Sequence, residues 1–396
     1  MINQYKQSSV KSVESTRTEL ILLLLMVHIG LAFAIRASEA IATIYAIGTI
    51  ALGILIAVLS KNPKDLIWVS AYIVGAEIIW RMTGANTFYE SGKYAISGIL
   101  LIGILRNKAP KNALAPIAYL LLLSASIPLT LYAHGITEQS RQMISFNLSG
   151  ALALTICVLY FSRVRLGSID LQKIAWAISI PVASIFTLAA YSTFTSENLR
   201  FTDESNFLTS GGFGPNQVSA ILGLGAVMMF MVVLYSKKNG LRLLAAALMI
   251  AFLVQSALTF SRGGLLNAAA CILVAAIHLL LEKRKRSGII VLLISIALIG
   301  VYIIFPQINQ FTGGMLGQRL QNLSTTGRDE IAQEEFQLWT QNVLLGVGPG
   351  EAAYLLEPIY GSYVAAHTEY VRLLAEHGIP GIIAIGLLIY MAIRFY

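Results

Sequence analysis

The stretch AHTEYVRLLAEHGIPG, residues 366–381, concentrates ionisable side chains in a chain that is 56% hydrophobic. At helical spacing His367 and Tyr370 share one face, whereas Arg372 and Glu376 lie on another face and can form an ion pair. Because the unperturbed pKa of histidine is about 6.5, His367 is suited to accept a proton near neutral pH. The stretch therefore offers a general base on a short amphipathic helix; the alternative is a histidine that only packs or hydrogen-bonds.

A second group with chemical potential is the Arg262 guanidinium in TFSRGGLLN, which we expect at the outer end of a membrane-spanning helix. Its planar donor fork suits phosphate oxygens. Gly263 and Gly264 permit a close backbone approach, and the helix N-terminus that follows Ser261 offers unpaired N–H groups to an anion. The sequence therefore indicates a phosphate-binding site; the alternative is an arginine that extends to lipid headgroups beside two glycines that pack helices.

Three further arginines could add to this positive charge. Arg200 precedes the glycine-rich GGFGPNQ, where Asn216 lies at the start of another helix whose N-terminus points outward. The alternative for Arg200 is a solvated loop side chain balanced by nearby acidic residues. Arg319 and Arg328 lie in the largest outer loop and would raise the positive potential, although Arg328 has acidic neighbours with which it could pair.

The composition of the chain indicates a membrane environment. A mean hydropathy of +0.72 and a charged fraction of 12% do not describe a water-soluble globule, in which about 25% of residues are charged. Apolar stretches of about 17 to 22 residues match a hydrocarbon core of about 30 Å. The predicted fold is an all-α polytopic membrane protein with about twelve transmembrane helices. The predicted spans are 19–35, 40–60, 66–80, 94–105, 114–132, 144–162, 172–192, 216–235, 241–259, 264–281, 288–305 and 378–393.

The distribution of basic residues predicts the orientation of these helices. With the N-terminus inside, the cytoplasmic segments carry nineteen of the 28 Lys and Arg residues, as the positive-inside rule requires. The net charge of +8 therefore reflects orientation and does not imply nucleic acid. The predicted organisation has four parts: residues 1–18 as a cytoplasmic tail, 19–305 as transmembrane helices one to eleven, 306–377 as a periplasmic helical cap loop, and 378–396 as the twelfth transmembrane helix.

The cap loop has a helical pattern of its own. In TTGRDEIAQEEFQLW, Thr326 is the expected N-cap and acidic residues fill the first turn. The following GVGPG marks a break between two helices, and Gly378 with Pro380 should end the cap helix that carries His367. GVGPG lacks the Lys-Ser/Thr pair of a phosphate-binding P-loop, so we expect a plain turn.

A few polar residues fall inside or near the predicted spans. Glu77 and Arg81 have the spacing of an ion pair on one helix face, which we favour over a proton relay. His28 and His278 have apolar neighbours and are expected to be buried and hydrogen-bonded. His134, in a short outer loop, has no assignable role. The two cysteines also fall within spans as packing residues, and no disulfide framework or metal-ligand spacing is present.

Taken together, FSRGG, GGFGPNQ, TGRDEIAQEEFQLWTQNVLLGVGPG and HTEYVRLLAEHGIPG resemble the O-antigen ligase and polymerase superfamily. The resemblance covers roughly residues 195–394, and its most specific element is a histidine separated by ten residues from a glycine, here His367 and Gly378. It implies that outer-face arginines, here Arg200 and Arg262, hold the diphosphate of an undecaprenyl-linked glycan. It also implies that His367 assists attack by an acceptor hydroxyl.

The expected activity is that of a metal-independent inverting glycosyltransferase, acting at the periplasmic face of the bacterial inner membrane with both termini cytoplasmic. O-antigen ligation onto the lipid A core is preferred, and polymerisation of repeat units is the alternative. A twelve-span secondary transporter is disfavoured because it predicts two similar halves and a long central cytoplasmic loop. We expect a lipid bilayer, an undecaprenyl-diphosphate-linked glycan donor and a lipid A core or growing glycan acceptor, with no cofactor. The expected supporting residues are Ser261, Gly263, Gly264, Asn216, Glu369 and Tyr370.

Overall fold

The computed structural model describes residues 2–106, 113–281, 294–296, 298–322, 327–361 and 368–394. Within these ranges every regular element is helical, in agreement with the predicted all-α class. The helices of the first half are α1 Ile2–Ala37, α2 Glu39–Leu59, α3 Pro63–Met82, α4 Ser91–Arg106, α5 Leu114–Ser124, α6 Ile127–His134, α7 Glu138–Phe161 and α8 Ser168–Thr195. The second half contains α9 Pro215–Tyr235, α10 Asn239–Leu258, α11 Arg262–Leu281, α12 Phe305–Phe311, α13 Met315–Gln321, α14 Arg328–Gln341, α15 Glu351–Tyr360 and α16 Glu369–Arg394.

Nine helical segments in the described part of the chain are long and apolar enough to cross a membrane. They are Thr18–Ala37, Glu39–Leu59, Leu114–His134, Glu138–Phe161, Ser168–Thr195, Pro215–Tyr235, Asn239–Leu258, Ile294–Phe311 and Glu369–Arg394. The remaining three predicted spans fall on α3, α4 and α11, of which α11 contributes a shorter apolar helix, Arg262–His278. The protein is therefore a multi-helix membrane protein, and the total of twelve spans stays a prediction.

The first of two compact units comprises Met1–Leu52, Ile67–Thr87 and Leu166–Asn322. Helix α9 is at its centre and packs against α8, α10 and α11, while α1 packs against α8. Close contact of α9 with α11 depends on glycine: a Cβ at Gly223 would lie 2.5 Å from the carbonyl oxygen of Gly264. This contact aligns the N-terminal ends of α9 and α11.

The second unit comprises Gly53–Leu66, Phe88–Arg165 and Leu323–Tyr396. In it α7 packs against α4, α5 and α6, and α16 packs against α5, α14 and α15. The hydrophobic core of this unit joins α5, α7 and α16; its buried members are Tyr119, Leu123, Leu148, Ala151, Leu373, Ala384 and Met391. Helix α16 is thereby fixed along much of its length.

Helix α16 bends at Gly378, where the backbone is left-handed with φ 60° and ψ −135°. The predicted break at this glycine is present, but the chain returns to helix at once. The cap helix and the last span are therefore two arms of one kinked helix. At the start of α14 the N-cap is Gly327 and not the predicted Thr326, which lies outside the described residues.

Three predictions about polar residues in the spans can be compared with the structure. Arg81 Nη2 donates to Glu77 Oε1 at 3.2 Å, so the predicted ion pair is present. His28 is buried, and its Nε2 lies 2.8 Å from the Tyr72 hydroxyl, as expected. The predicted burial of His278 was wrong, because it lies on an exposed face of α11. A histidine with apolar sequence neighbours can face lipid as well as a core.

Candidate functional site

A strained turn joins α10 to α11 and positions the residues of FSRGG. Phe260 is buried and has φ 58°, a left-handed conformation that is costly for a residue with a Cβ. Such strain costs about 1–3 kcal/mol and persists only where surrounding contacts enforce it. The turn lets α11 begin at Arg262, directly after Ser261.

Hydrogen bonds hold this turn against the start of α9. Ser261 Oγ donates to Asn216 Oδ1 at 2.7 Å, and Ser219 Oγ donates to the Ser261 carbonyl at 2.9 Å. The Ser219 and Ser256 hydroxyls lie 2.9 Å apart, which connects the end of α10 to the same cluster. Two of the predicted supporting residues, Asn216 and Ser261, are therefore in direct contact. Their helices present adjacent N-termini, each of which carries a partial positive charge.

The two glycines that follow Arg262 differ in their surroundings. A Cβ at Gly264 would lie 2.1 Å from the Ser219 carbonyl oxygen, so only glycine fits between α9 and α11. Gly263 is exposed, and a Cβ added there would meet nothing within 4 Å. Gly264 is thus needed for helix packing, whereas Gly263 leaves open space beside Arg262.

Two of the predicted arginines connect this turn to α13. Arg319 is buried, and its Nε donates to the carbonyl of Phe260 at 3.2 Å. Arg262 Nη1 in turn donates to the carbonyl of Asn322, which follows α13. The two side chains thus cross between the same two segments and bring two positive charges to one end of α11.

The loop after α8 brings a third arginine to the same turn. The Asn206 backbone N–H donates to the Thr259 carbonyl at 2.8 Å, and its Nδ2 donates to the Arg200 carbonyl at 2.9 Å. The Phe201 ring stacks on Phe260 with centroids 5.1 Å apart. The backbone of Arg200 is therefore fixed beside the turn while its side chain remains exposed.

The other predicted site residues belong to the second unit. Arg328 is exposed at the first position of α14. Glu369 and Tyr370 are exposed in the first turn of α16, where Glu369 accepts hydrogen bonds from the Arg372 guanidinium at 3.0 and 2.5 Å. The predicted general base, His367, lies outside the described residues.

Arg372 anchors the outer arm of α16, which runs from Glu369 to the bend at Gly378. It is buried, and its Nη1 donates to Glu376 Oε2 and to Asn147 Oδ1, each at 2.6 Å. The ion pair with Glu376 is the one that the helical spacing predicts. Because Asn147 belongs to α7, the bond ties the arm to the core of this unit.

The loop GVGPG completes the frame around the bend in α16. Val347 N–H donates to the Ala375 carbonyl at 2.9 Å, and Gly348 N–H donates to the Glu376 carbonyl at 3.0 Å. Gly350 N–H donates to the Glu376 carboxylate, at 2.9 Å from Oε1. Carbonyls at the end of a helical segment need such partners. The loop is therefore a C-terminal cap for the outer arm.

Part of the chain matches a known protein family. Residues 253–386 match the O-Antigen ligase family. The matched segment contains Arg262, Arg319, Arg328 and His367, whereas Arg200 precedes it. The resemblance seen in the sequence is thereby confirmed, and the match supports a membrane glycosyltransferase of the O-antigen ligase or polymerase type. No curated protein and no solved structure matches the chain.

Within the matched segment, two acidic residues were not selected from the sequence. Burial, reinforced by the negative charge of Glu376 and opposed by Arg372, raises the pKa of Glu335 to about 7. Burial also raises the pKa of Glu351, and His134 opposes this rise. His134 Nε2 lies 2.9 Å from Glu351 Oε1. The helical pattern of α14 alone could have indicated Glu335, because it lies one turn after the buried Ile331.

The described residues also bear on what the site can bind. Among them, no group of three or more His, Cys, Asp or Glu side chains is arranged to hold a metal ion. The positive groups at the α10–α11 turn are suited instead to an anion with several oxygens, because guanidinium groups and helix N-termini both donate hydrogen bonds.

Proposed function

We propose that the protein is a glycosyltransferase that moves a glycan from undecaprenyl diphosphate to an acceptor hydroxyl at the periplasmic face of the bacterial inner membrane. The favoured activity is O-antigen ligation onto the lipid A core. The observation that carries this proposal is the convergence of Arg200, Arg262 and Arg319 on one turn at the N-terminal ends of α9 and α11. Two of these arginines lie in the segment that matches the O-antigen ligase family.

The arginine cluster suits the departure of a diphosphate. In an inverting transfer the acceptor oxygen bonds to the anomeric carbon while the bond from that carbon to the diphosphate oxygen breaks on the opposite side. Negative charge then grows on the leaving diphosphate, and fixed cationic donors stabilise it without needing to reorganise. Arg262 and Arg319 are held by backbone carbonyls and so meet this requirement.

The acceptor hydroxyl must lose its proton during the attack. We assign this proton to His367, following the resemblance of HTEYVRLLAEHG to the family pattern. Support comes from the segment that follows, because the outer arm of α16 is fixed by Arg372, Glu376 and the GVGPG loop. A base close before a fixed helix in the chain is expected to be restricted in its position relative to the substrate, which favours transfer.

The test is transfer by purified protein from lipid-linked glycan in excess EDTA. We expect transfer to proceed, and Arg262→Lys to lose most activity because an ammonium cannot replace the planar fork. Arg242→Lys is the matched control: Arg242 donates to a backbone carbonyl near the opposite end of α10 and should tolerate the change. Dependence on added Mg or Mn, together with an active Arg262→Ala protein, would contradict the proposal.

Polymerisation of repeat units is the alternative, because it uses the same donor and the same leaving group. A deletion strain distinguishes the two. Loss of a ligase leaves long lipid-linked polymer in the membrane, with lipopolysaccharide that lacks it. Loss of a polymerase leaves single repeat units on the surface.

The orientation of the chain has its own test. In a protein whose two native cysteines are replaced by alanine, a cysteine at residue 340 should react with a membrane-impermeant thiol reagent in spheroplasts. A cysteine at residue 284, in the basic segment assigned to the cytoplasm, should not react. The opposite labelling pattern would place the arginine cluster on the cytoplasmic side.

A further inference from the structure

One face of α14 carries polar atoms that are buried without partners. Glu335 is 1% exposed, and its Oε2 has no hydrogen-bond partner within the part of the chain that the structure describes. Trp339, one helical turn later on the same face, has a buried indole N–H that also has no partner among the described residues. The Thr368 hydroxyl, immediately before α16, is another buried polar group without a partner among the described residues.

The packing of α14 on α16 brings these three residues to one region. Ile379 N–H donates to the Val343 carbonyl at 3.0 Å, so the end of α14 lies at the bend of α16. At a rise of about 1.5 Å per residue, Glu335 lies about 12 Å back from Val343. Moving the same distance back from Ile379 along α16 reaches its first turn, next to Thr368. The charges of Arg372 and Glu369 act on Glu335, in agreement with this placement.

Unpartnered buried polar atoms are costly. Each costs about 1–3 kcal/mol when it loses water and gains no partner, and native proteins retain few of them. A cluster of three on one helix pair is explained if a ligand supplies the missing partners. Such a ligand must offer both donors and acceptors at short spacing, because the cluster contains a carboxyl, an indole N–H and a hydroxyl.

The aromatic surroundings narrow the ligand class further. The Phe336 and Trp339 rings lie 5.1 Å apart between centroids, and Phe336 is exposed. A sugar ring has hydroxyl groups on its edge and C–H groups on its faces, so it can hydrogen-bond to Glu335 and Thr368 while its face contacts an aromatic ring.

We infer that Glu335, Trp339 and Thr368 form a subsite for one sugar ring of a glycan. This inference rests on the proposed function, which supplies two sources of such a ring: the donor and the acceptor. The raised pKa of Glu335 agrees with it, since near pH 7 this carboxyl can either donate or accept a hydrogen bond.

The kinetic test compares Glu335→Gln and Trp339→Phe with wild type, varying donor and acceptor in turn. Glu335→Gln keeps the size of the side chain, Trp339→Phe keeps an aromatic ring, and both change the hydrogen bonding. Losing one well-placed hydrogen bond costs about 1.4 kcal/mol, which is about tenfold in affinity. We therefore expect KM for one substrate to rise about tenfold while kcat changes less than threefold. The substrate affected identifies the source of the ring.

The matched control is Glu330→Gln, because Glu330 lies on the same helix and is exposed. It should leave both KM values unchanged. Quenching of tryptophan fluorescence is a readout that does not need turnover. The probes are oligosaccharides released from the lipopolysaccharide and from the lipid-linked glycan of the host strain. Trp339→Phe should remove the quenching, whereas Trp176→Phe, in the other unit, should keep it.

The results separate this inference from the proposed function. Wild-type KM values and unchanged oligosaccharide binding in both variants would overturn the subsite, even if the Arg262 experiment succeeds. A lower kcat with unchanged KM would also overturn it, because the residues would then act on the chemical step. If the wild type transfers no glycan, the proposed function fails. The fluorescence experiment then tests the subsite: quenching that is lost in Trp339→Phe supports it, and quenching that is absent or unchanged overturns it. If one variant fails to fold, as judged by thermal unfolding, the other decides.

Discussion

Removing the Glu376 carboxylate tests whether the frame around the bend in α16 depends on a buried ion pair. Glu376 is 1% exposed and accepts from Arg372 at 2.6 Å and from the Gly350 N–H at 2.9 Å. The change Glu376→Ala leaves a buried guanidinium without this partner and a backbone N–H without an acceptor. Breaking a buried pair from one side costs about 3–5 kcal/mol.

The lower end of that range applies here, because Glu369 remains bonded to Arg372. Glu369 is exposed, and surface pairs contribute only about 0–1 kcal/mol. A loss of about 3 kcal/mol corresponds to a roughly 100-fold larger population of the opened loop, at about 1.4 kcal/mol per tenfold. The amides of Val347 and Gly348, which donate to α16, should therefore exchange hydrogen roughly 100-fold faster.

The assay is hydrogen exchange measured by mass spectrometry on peptides that cover residues 343–350, in detergent-purified protein. Glu138→Ala is the control, because the Glu138 pair with Arg141 is exposed on both sides and should give no measurable change. Glu376→Gln should fall between wild type and Glu376→Ala, since its amide oxygen can still accept from Gly350. Unchanged exchange in Glu376→Ala would refute the idea that this pair holds the loop.

Three further results are expected. Gly264→Ala should lower the thermal unfolding midpoint, because its Cβ would lie 2.1 Å from a backbone oxygen and overpacking costs about 1–3 kcal/mol; Gly263→Ala, which meets nothing within 4 Å, should not. His367→Ala should reduce the transfer rate by about 10²- to 10⁴-fold between pH 6 and 8, compared at equal concentrations of folded protein. His278→Ala is the control, and near-normal turnover of His367→Ala would eliminate the base assignment. Because Glu335 has a pKa raised to about 7, the folded state binds its proton more tightly than an unfolded chain with a glutamate pKa of about 4.3. Its contribution to stability is therefore lost as pH rises from about 4 through 7. Glu335→Gln should weaken the resulting decline in the unfolding midpoint, and an identical pH profile in wild type and variant would contradict the raised pKa of Glu335.

The positions of the helices could be predicted from the sequence because apolar length and hydropathy determine them directly. Within the described part of the chain the predicted spans coincide with helical segments, including 66–80 on α3 and 94–105 on α4, while part of 288–305 lies outside the described residues. The side of a helix that meets protein was harder to predict. His278 shows why, since apolar neighbours along the chain do not distinguish a core from lipid.

The arginines of the site could be selected individually, but their assembly could not. Arg200 reaches the α10–α11 turn through the stack of Phe201 on Phe260 and through Asn206, which are contacts between residues far apart in the sequence. The left-handed conformation of Phe260 is enforced by this packing, and local preference would oppose it. Arg319 was predicted only to add positive charge, yet its side chain donates a hydrogen bond to the Phe260 carbonyl.

The GVGPG loop illustrates a different limit. Its glycines correctly predict a break between helices, and Gly346, Gly348 and Gly350 all have positive φ. What the sequence pattern does not give is the partner. The loop caps α16, which begins nineteen residues after Gly350, and only the folded chain brings the two together.

The bend at Gly378 also has a mechanical consequence. Because the carbonyls at the bend are capped and the outer arm is tied to α7, we expect the two arms of α16 to be coupled, so that a lean of the apolar arm in the bilayer also moves the outer arm. The outer arm, from Glu369 to the bend, is about 14 Å long at 1.5 Å per residue. A lean of about 10° is comparable to the tilt changes by which helices adapt to bilayers of different thickness. It would shift the free end of the outer arm by about 2 Å. Membrane thickness would then help to set the position of this helix end, which becomes a property of the bilayer as well as of the chain.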